Sequence, residues 1–448
     1  MKKLAKKLVK KVMKKKVKNK IVNIIGAGLA GSEAAYQLAK RGVSVKLFEM
    51  RPKVKTEVHQ SENFAELVCS NSFRSDDILN AVGLLKAEMR KLDSLILKCA
   101  DKCALPAGSA LAVDREKFSQ EVTNTLKSYD NIEIIRKEVV DIPEGYTIIA
   151  TGPLTSDKFS KSLLDYFSED YLHFYDAVAP IIDIDSIDLD KAYYKSRYDK
   201  GSADYLNCAM SKEEFDRFYN ELIKAKVVED KEYEDKTFFD ACMPFEEIAK
   251  KGEKTLLFGP MKPVGLAKDK DHKPYAVVQL RQDNFAKSLY NIVGFQTRLT
   301  WGEQKRIIRM IPGLEKAEIV RYGVMHKNKY INSPKILNND LQVKKRKDLM
   351  IAGQFSGVEG YIESAAMGLL SGINMSKLVN GESLLNLDNR TMIGALANYI
   401  SSADASNFQP MNVNHGIIKF SFRAPKRIRR EKTAELSLSL IDELKENV

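Results

Sequence analysis

The sequence predicts an α/β fold in which the chain builds one Rossmann-like dinucleotide-binding domain in two passes, with an α+β domain inserted between them. Three observations carry this reading. An apolar run, a glycine turn and a helix-like stretch follow one another between Ile21 and Gly42. Two further strand-like runs, around residues 147–150 and 348–352, each end at a glycine. Between about 160 and 320 the texture changes to aromatic-rich segments, acidic helices and scattered strands.

Taken in order, Ile21–Ile25 is a short, continuous apolar run, as expected of a buried parallel strand. Gly26, Ala27, Gly28, Leu29, Ala30 and Gly31 follow at once and open a helix, with Ala34, Ala35, Leu38 and Ala39 expected on one face. Gly42 stops it, and residues 43–50 supply a second strand, completing a βαβ unit of about thirty residues. Helical periodicity returns over Leu84–Leu97 and Phe118–Leu126. A strand at 147–150 precedes the sharp break Thr151-Gly152-Pro153. Lys212–Ala225 reads as an acidic helix, Tyr275–Leu280 as a strand, Asp348–Ala352 as another buried strand, and a small-residue helix begins near Glu363. The expected organisation is a basic extension (1–20), a first dinucleotide-binding part (21–155), an inserted substrate domain (156–325), a second part (326–425) and a basic, helical tail (426–448).

The glycine spacing has a mechanism in this context. The first glycine permits the tight turn, the second lets backbone approach a pyrophosphate, and the third lets helix pack on strand. The helix start then presents unpaired N–H groups to the phosphates. Glu49 ends the second strand eighteen residues past Gly31, where a carboxylate accepts bonds from an adenosine ribose and disfavours a 2′-phosphate. The later segments ending in Thr151-Gly152 and in Gly353-Gln354 bring the chain back to the same sheet. That return favours FAD over NAD and makes this a flavoprotein of the two-motif kind.

Charge bounds the partners. The net charge of +12 is concentrated: residues 1–20 hold eleven lysines and no acid, which leaves 61 basic against 60 acidic residues elsewhere. Leu4, Leu8, Val12 and Met13 recur there at helical spacing, suiting an amphipathic helix on RNA, a ribosome surface or anionic lipid, or else a disordered basic tail. Lys344–Lys347 and Lys426–Arg430 are candidate RNA patches, although such runs are commonly solvated faces. No run approaches the roughly 18 apolar residues that span a bilayer, and the first twenty residues lack an apolar signal core. Five cysteines without a signal segment point to a reduced, cytoplasmic protein rather than a disulfide framework.

Cys69 and Cys242 are each followed by polar or turn-forming residues, unlike a cysteine in an apolar stripe. Cys99 and Cys103 are four apart but lack partners for a metal site, and Cys208 has no distinguishing context. The strings FAELVCSNSFRSD, ALAVDREKFS, ACMPFEEIA, PYAVVQLRQDN, VGFQTRLTWGEQKRI, AGQFSGVEGYIESAAMG and NFQPMNVN, with the glycine turn, run through the chain from Val22 to Ile417. Over that span the chain resembles the folate- and FAD-dependent tRNA (uracil-5-)-methyltransferases.

The resemblance implies a reaction. Members take a one-carbon unit from 5,10-methylenetetrahydrofolate, with FAD reduced by NADH or NADPH, and deliver it to uracil C5 in tRNA. A branch of the family modifies 23S rRNA instead. Two cysteines work in catalysis, and the matching positions are Cys69 and Cys242, with Cys242 as the C6 nucleophile and Cys69 as its partner near the flavin, or the two roles exchanged. A flipped uridine calls for an aromatic- or arginine-lined pocket. Asn71, Arg74 and Arg281 are candidates for folate or RNA phosphate. The sequence departs from the family pattern at Asp240 and Ala241, where a glutamate and a glycine are expected before the thiol, and the leader has no family counterpart. Alternatives from other classes are a larger flavoprotein that installs carboxymethylaminomethyl groups on tRNA uridines, and a flavin-binding RNA-interaction protein without catalysis.

Overall fold

The structure, a computed structural model, describes residues 21–56, 58–168, 172–177, 179–199, 202–228, 243–269, 273–284, 286–323, 325–406, 408–418 and 425–445. Among these, strand Ile21–Ile25 pairs in parallel with Ser44–Glu49 on one side and Thr147–Ile149 on the other. Ser44–Glu49 continues to Ile132–Arg136, and Thr147–Ile149 to Arg346–Ile351, both in parallel. An antiparallel hairpin strand, Gln342–Val343, closes the edge of this six-stranded sheet. A strand from late in the chain thus sits two places from the first strand, as a two-pass α/β domain requires.

The first helix, Leu29–Ala39, is buried along its whole length rather than on one face. The cause is a second helix, Tyr361–Asn380, laid across it. A Cβ on Gly368 would stand 2.2 Å from the Ala30 carbonyl, and one on Gly372 would stand 2.9 Å from Ala34 Cα. Glycine at these two positions lets the backbones touch, so the expected polar face has no solvent to meet. Glu33 is buried there and spends its carboxylate on Gln37, Ser94 and the N–H groups of Leu95 and Ile96.

That use of Glu33 also corrects the helix expected over Leu84–Leu97. Two helices stand there, Ala81–Lys91 and Leu95–Lys102. Asp93 takes a positive φ of 65°, and Ser94 caps the restart by accepting the Leu97 N–H. Local capping, reinforced by the buried carboxylate at the new N-terminus, overrides the continuous periodicity.

A second six-stranded sheet is antiparallel throughout, in the order Tyr193–Tyr194, Tyr205–Met210, Ala276–Gln282, Leu289–Ile292, Ile181–Asp183 and Ile319–Arg321. Leu206, Cys208 and Met210 alternate inward against Phe215, Phe218, Phe245 and Phe295 in a core of their own. A ribbon of Leu172–Ala177 and Met325–Tyr330 pairs the chain on its way into and out of this sheet. Helix Lys426–Lys445 docks on Ala81–Lys91, with Lys91 ion-paired to Asp442 at 2.7 Å and the Ser437 hydroxyl donating to buried Glu88. No helix among the described residues is long and apolar enough to cross a membrane.

Candidate functional site

The glycine turn is built by backbone alone. Gly26 takes φ 95°, and its N–H donates to the Phe48 carbonyl at 2.8 Å, tying the turn to the neighbouring strand. A Cβ on Gly31 would sit 1.8 Å from the Gly26 carbonyl oxygen. Gly28 behaves differently: a Cβ there would meet no protein atom within 4 Å. Packing therefore demands glycine at 26 and 31, whereas at 28 no protein atom requires one. Gly28 lines a cavity together with Gly26, Glu49, Arg51, His59 and Thr151. Gly28 is also the N-cap of helix Leu29–Ala39, so the helix start stands on the cavity wall, where its unpaired N–H groups suit a diphosphate.

Glu49 is fixed on the cavity wall. Its Oε2 accepts the Ala27 N–H at 3.1 Å, and its Oε1 accepts the Arg51 N–H and Nε, both at 3.0 Å. Burial opposes ionisation, but Arg51 and these amides outweigh it and hold the carboxyl below its usual range. Arg51, which the sequence did not single out, also donates to the Ser61 and Asn63 carbonyls and to Glu66. Thr151 hydrogen-bonds Thr155 at 2.6 Å, and Thr155 donates to the Gly152 carbonyl. Gly353 lies against the first helix, where a Cβ would stand 2.8 Å from Ala30 Cβ. Gln354 donates to Glu359 at 2.6 Å. Gly26, Gly28, Glu49 and Thr151 thus face one cavity; Ala27, Leu29, Ala30, Gly31, Gly152, Gly353 and Gln354 form the surrounding frame.

Cys69 lies on an irregular loop held by side chains from distant parts of the chain. The Tyr361 phenol oxygen accepts the N–H groups of Cys69 at 2.7 Å and Ser70 at 3.2 Å. Burial pushes this phenol's pKa up, so the hydroxyl stays neutral. Arg115 donates to the carbonyls of Leu67 and Cys69, and Arg321 to those of Val58 and Val68. Asn71 and Arg281, candidates for folate or phosphate, turn inward instead. Asn71 donates to the Val113 and Gln282 carbonyls, while Arg281, 7% exposed, donates to Asn71 and Ser70. Both are spent on the loop. Arg74 takes φ 61° and pairs with buried Glu363. Lys86 is wholly buried and donates to the carbonyls of Phe73, Arg74 and Ser75; burial lowers its pKa to about 8.

Cys99, Cys103 and Cys208 are buried thiols, with Cys99 and Cys208 each pushed up by burial to about 12. No metal-holding cluster exists among the described residues. Of the basic runs, Lys344 donates to the Pro334 carbonyl and Arg346 to Asp348 and two carbonyls. Lys426–Arg430 opens the last helix, with Arg427 ion-paired to Glu431.

Cys242 and the lysine-rich leader lie outside the described residues. The chain on either side of Cys242 is fastened to one segment. Val228 N–H donates to the Arg298 carbonyl, Thr300 N–H to Lys226, and Phe245 N–H to Gln296. Glu246 accepts Thr297 and the Arg298 N–H. The next residue, Trp301, is 64% exposed and stacks on Tyr322 with ring centroids 5.1 Å apart. Both rings line a cleft of about 850 Å³ with Arg115, Asp283, Arg321 and Lys117. The sequence led to an expectation of an aromatic- and arginine-lined pocket but not to these residues, because Tyr322 and Trp301 come together only in space.

A family model described as "Glucose inhibited division protein A" matches residues 21–383. Among curated proteins, methylenetetrahydrofolate--tRNA-(uracil-5-)-methyltransferase TrmFO of Exiguobacterium sp. is 60% identical over 413 residues, covering 92% of this chain and 95% of that protein. The Bacillus subtilis protein of the same name is 59% identical over 411 residues, covering 92% and 94%. The chain belongs to the folate-dependent tRNA (uracil-5-)-methyltransferase family. Aquifex aeolicus GidA, in two crystal forms, superposes with TM-scores of 0.71 and 0.66 at 17% identity. The first covers 96% of this chain and 74% of the GidA chain, a likeness of fold. The chain thus spans nearly the full length of its methyltransferase relatives and about three quarters of the GidA structure.

Proposed function

We propose that this protein methylates C5 of a tRNA uridine, with 5,10-methylenetetrahydrofolate as carbon donor and FAD reduced by NADH or NADPH. The observation that carries the site assignment is the Cys69 loop, fixed between the glycine-turn sheet and the second sheet by Tyr361, Arg115 and Arg281. When bound, FAD supplies the redox chemistry that brings the folate one-carbon unit to the methyl level. Gly26–Gly31, Glu49, Thr151, Gly152, Gly353 and Gln354 are the residues that would hold it. The helix start would meet its diphosphate and Glu49 its adenosine ribose. The same acid disfavours a 2′-phosphate, so NADPH is a poor tenant of this site.

The remaining chemistry belongs to the thiols. Uracil C5 is a weak nucleophile until a thiolate adds to C6, which breaks the C5–C6 double bond and places electron density on C5. After C5 has gained its carbon, loss of the C5 proton and expulsion of the thiolate restore the ring. Cys242 is assigned the attack on C6, and Cys69 acts beside the flavin. The Trp301–Tyr322 stack supplies an aromatic face for an extruded base, and Arg321 and Lys117 supply positive charge for its backbone. The relatives' name favours tRNA over 23S rRNA as substrate. The setting is cytoplasmic.

Purified holoprotein should transfer label from methylene-labelled folate into tRNA and give no product when S-adenosylmethionine replaces the folate. Cys242→Ala should keep its flavin absorbance and lose transfer. A requirement for S-adenosylmethionine would overturn the reaction assigned, and full activity of Cys242→Ala would remove the nucleophile.

A further inference from the structure

Arg115 opens helix Arg115–Lys127, and its planar guanidinium engages two parts of the molecule at once. Nε donates to both carboxylate oxygens of Asp283, at 3.0 and 2.9 Å. Nη1 donates to the Leu67 carbonyl at 2.7 Å and Nη2 to the Cys69 carbonyl at 3.3 Å. Asp283 directly follows strand Ala276–Gln282 of the second sheet, and its own N–H is tied to the Leu289 carbonyl at 2.8 Å. The ion pair therefore joins the second sheet to the loop that bears Cys69. Its side chains are only 12% and 5% exposed.

We propose that Arg115, oriented by Asp283, is a positioning residue for Cys69, carrying the placement of the second sheet into the thiol loop. The proposal rests on the reading of Cys69 as a working thiol. A rigid fork that spans carbonyls two residues apart fixes the peptide units between them, which the point charge of a lysine cannot do. A buried guanidinium must satisfy its donors in any role, so the hydrogen bonds alone do not separate positioning from stability, and the reactivity of Cys69 is the readout that does. Arg115 and Asp283 also line the large cleft, so the same pair touches the space assigned to RNA and the backbone of the thiol.

The test uses the flavin-loaded full chain with Arg115→Lys and Asp283→Asn. The expected result is a fall in kcat for tRNA methylation of about tenfold or more. KM for tRNA should move by less than about threefold, with flavin content per chain unchanged. Alkylation of Cys69 by iodoacetamide, followed by peptide mapping, should shift its pH midpoint in both variants. Parent-like kcat and alkylation would overturn the proposal. So would a loss of activity that only tracks lost flavin, with the surviving holoprotein alkylated like the parent. Arg115→Lys keeps a cation beside Asp283 and decides alone if Asp283→Asn does not fold. If the parent itself transfers no methyl group, the functional reading fails, and the alkylation profile still decides the role of Arg115.

Discussion

The glycine turn and the thiol loop are built on opposite plans. At the turn, Gly26, Gly28 and Gly31 act through their own backbone, and the supporting contact, Gly26 N–H to the Phe48 carbonyl, comes from the next strand. At the loop, the backbone around Cys69 is held by Arg115, Arg281, Arg321 and Tyr361, which stand 46 to 292 positions away from their partners. The first site is specified by a short run of sequence. The second exists only where several passes of the chain meet. Substitutions at the turn should therefore separate folding from cofactor binding residue by residue, whereas substitutions around the loop should leave the cofactor in place and disturb reactivity.

The sharpest break in this comparison is Gly31→Ala. Its Cβ would overlap the Gly26 carbonyl oxygen at 1.8 Å, a backbone atom that cannot rotate away. The variant should lose about 3 kcal/mol or more and purify without flavin, as read by chemical denaturation and absorbance. Gly28→Val tests the other half of the argument, since φ there is −72° and no protein atom opposes a Cβ. Apo-protein stability should change by less than about 0.5 kcal/mol, while flavin affinity falls about tenfold or more. Equal loss of stability in the two variants would dissolve the distinction between a packing glycine and a ligand-facing one.

Tyr361→Phe addresses the loop. Removing the shared acceptor leaves the Cys69 and Ser70 amides without their partner, at a cost of about 1–3 kcal/mol. Flavin should remain bound and methyl transfer should drop about tenfold, measured with the same labelled-folate assay. Retained transfer would show that the loop does not need this hold.

The smallest effect on activity is expected from a control in a third place. Glu88 accepts the Met392 and Ile393 N–H groups and the Ser437 hydroxyl, and burial raises its pKa to about 7 from a reference of 4.5. A carboxyl whose folded pKa lies above its unfolded value favours the folded state below the unfolded pKa, and that contribution is lost as pH rises through the folded one. The amount at stake is about 3 kcal/mol. Thermal unfolding of the parent between about pH 4.5 and pH 7 should carry this downward trend, and Glu88→Gln should flatten it. Flavin binding and transfer should be indifferent to the substitution. An unchanged slope would mean that Glu88 does not titrate in that range.

The contrast between the two sites explains what could be read in advance. The strand, glycine turn, helix and Glu49 were legible because each requirement falls within thirty residues and is met by residue type alone. The parallel return of the later strands was legible from short apolar runs ending in glycine. The continuous helix over Leu84–Leu97 failed because Glu33, far back in the sequence, helps start a new helix at Leu95. The one-sided first helix failed because Gly368 and Gly372 bring a second helix onto its other side. Arg281 and Asn71 were candidates for folate or RNA phosphate, or equally for a structural role, and they fasten the loop from inside. A guanidinium in a string of letters looks the same whether it will face a phosphate or a peptide carbonyl. Arg115, Arg321 and Trp301 gave no local signal, since their partners are set by tertiary proximity; Arg51 was missed although its partners lie within fifteen residues of it.

The reach of Tyr361 back across 292 residues has a consequence for how the protein comes into being. Cys69 leaves the ribosome early, and its last anchor is made near the end of synthesis. Until then the Cys69 and Ser70 amides lack their shared phenol acceptor, although Arg115, Arg281 and Arg321 are already on the chain to hold the rest of the loop.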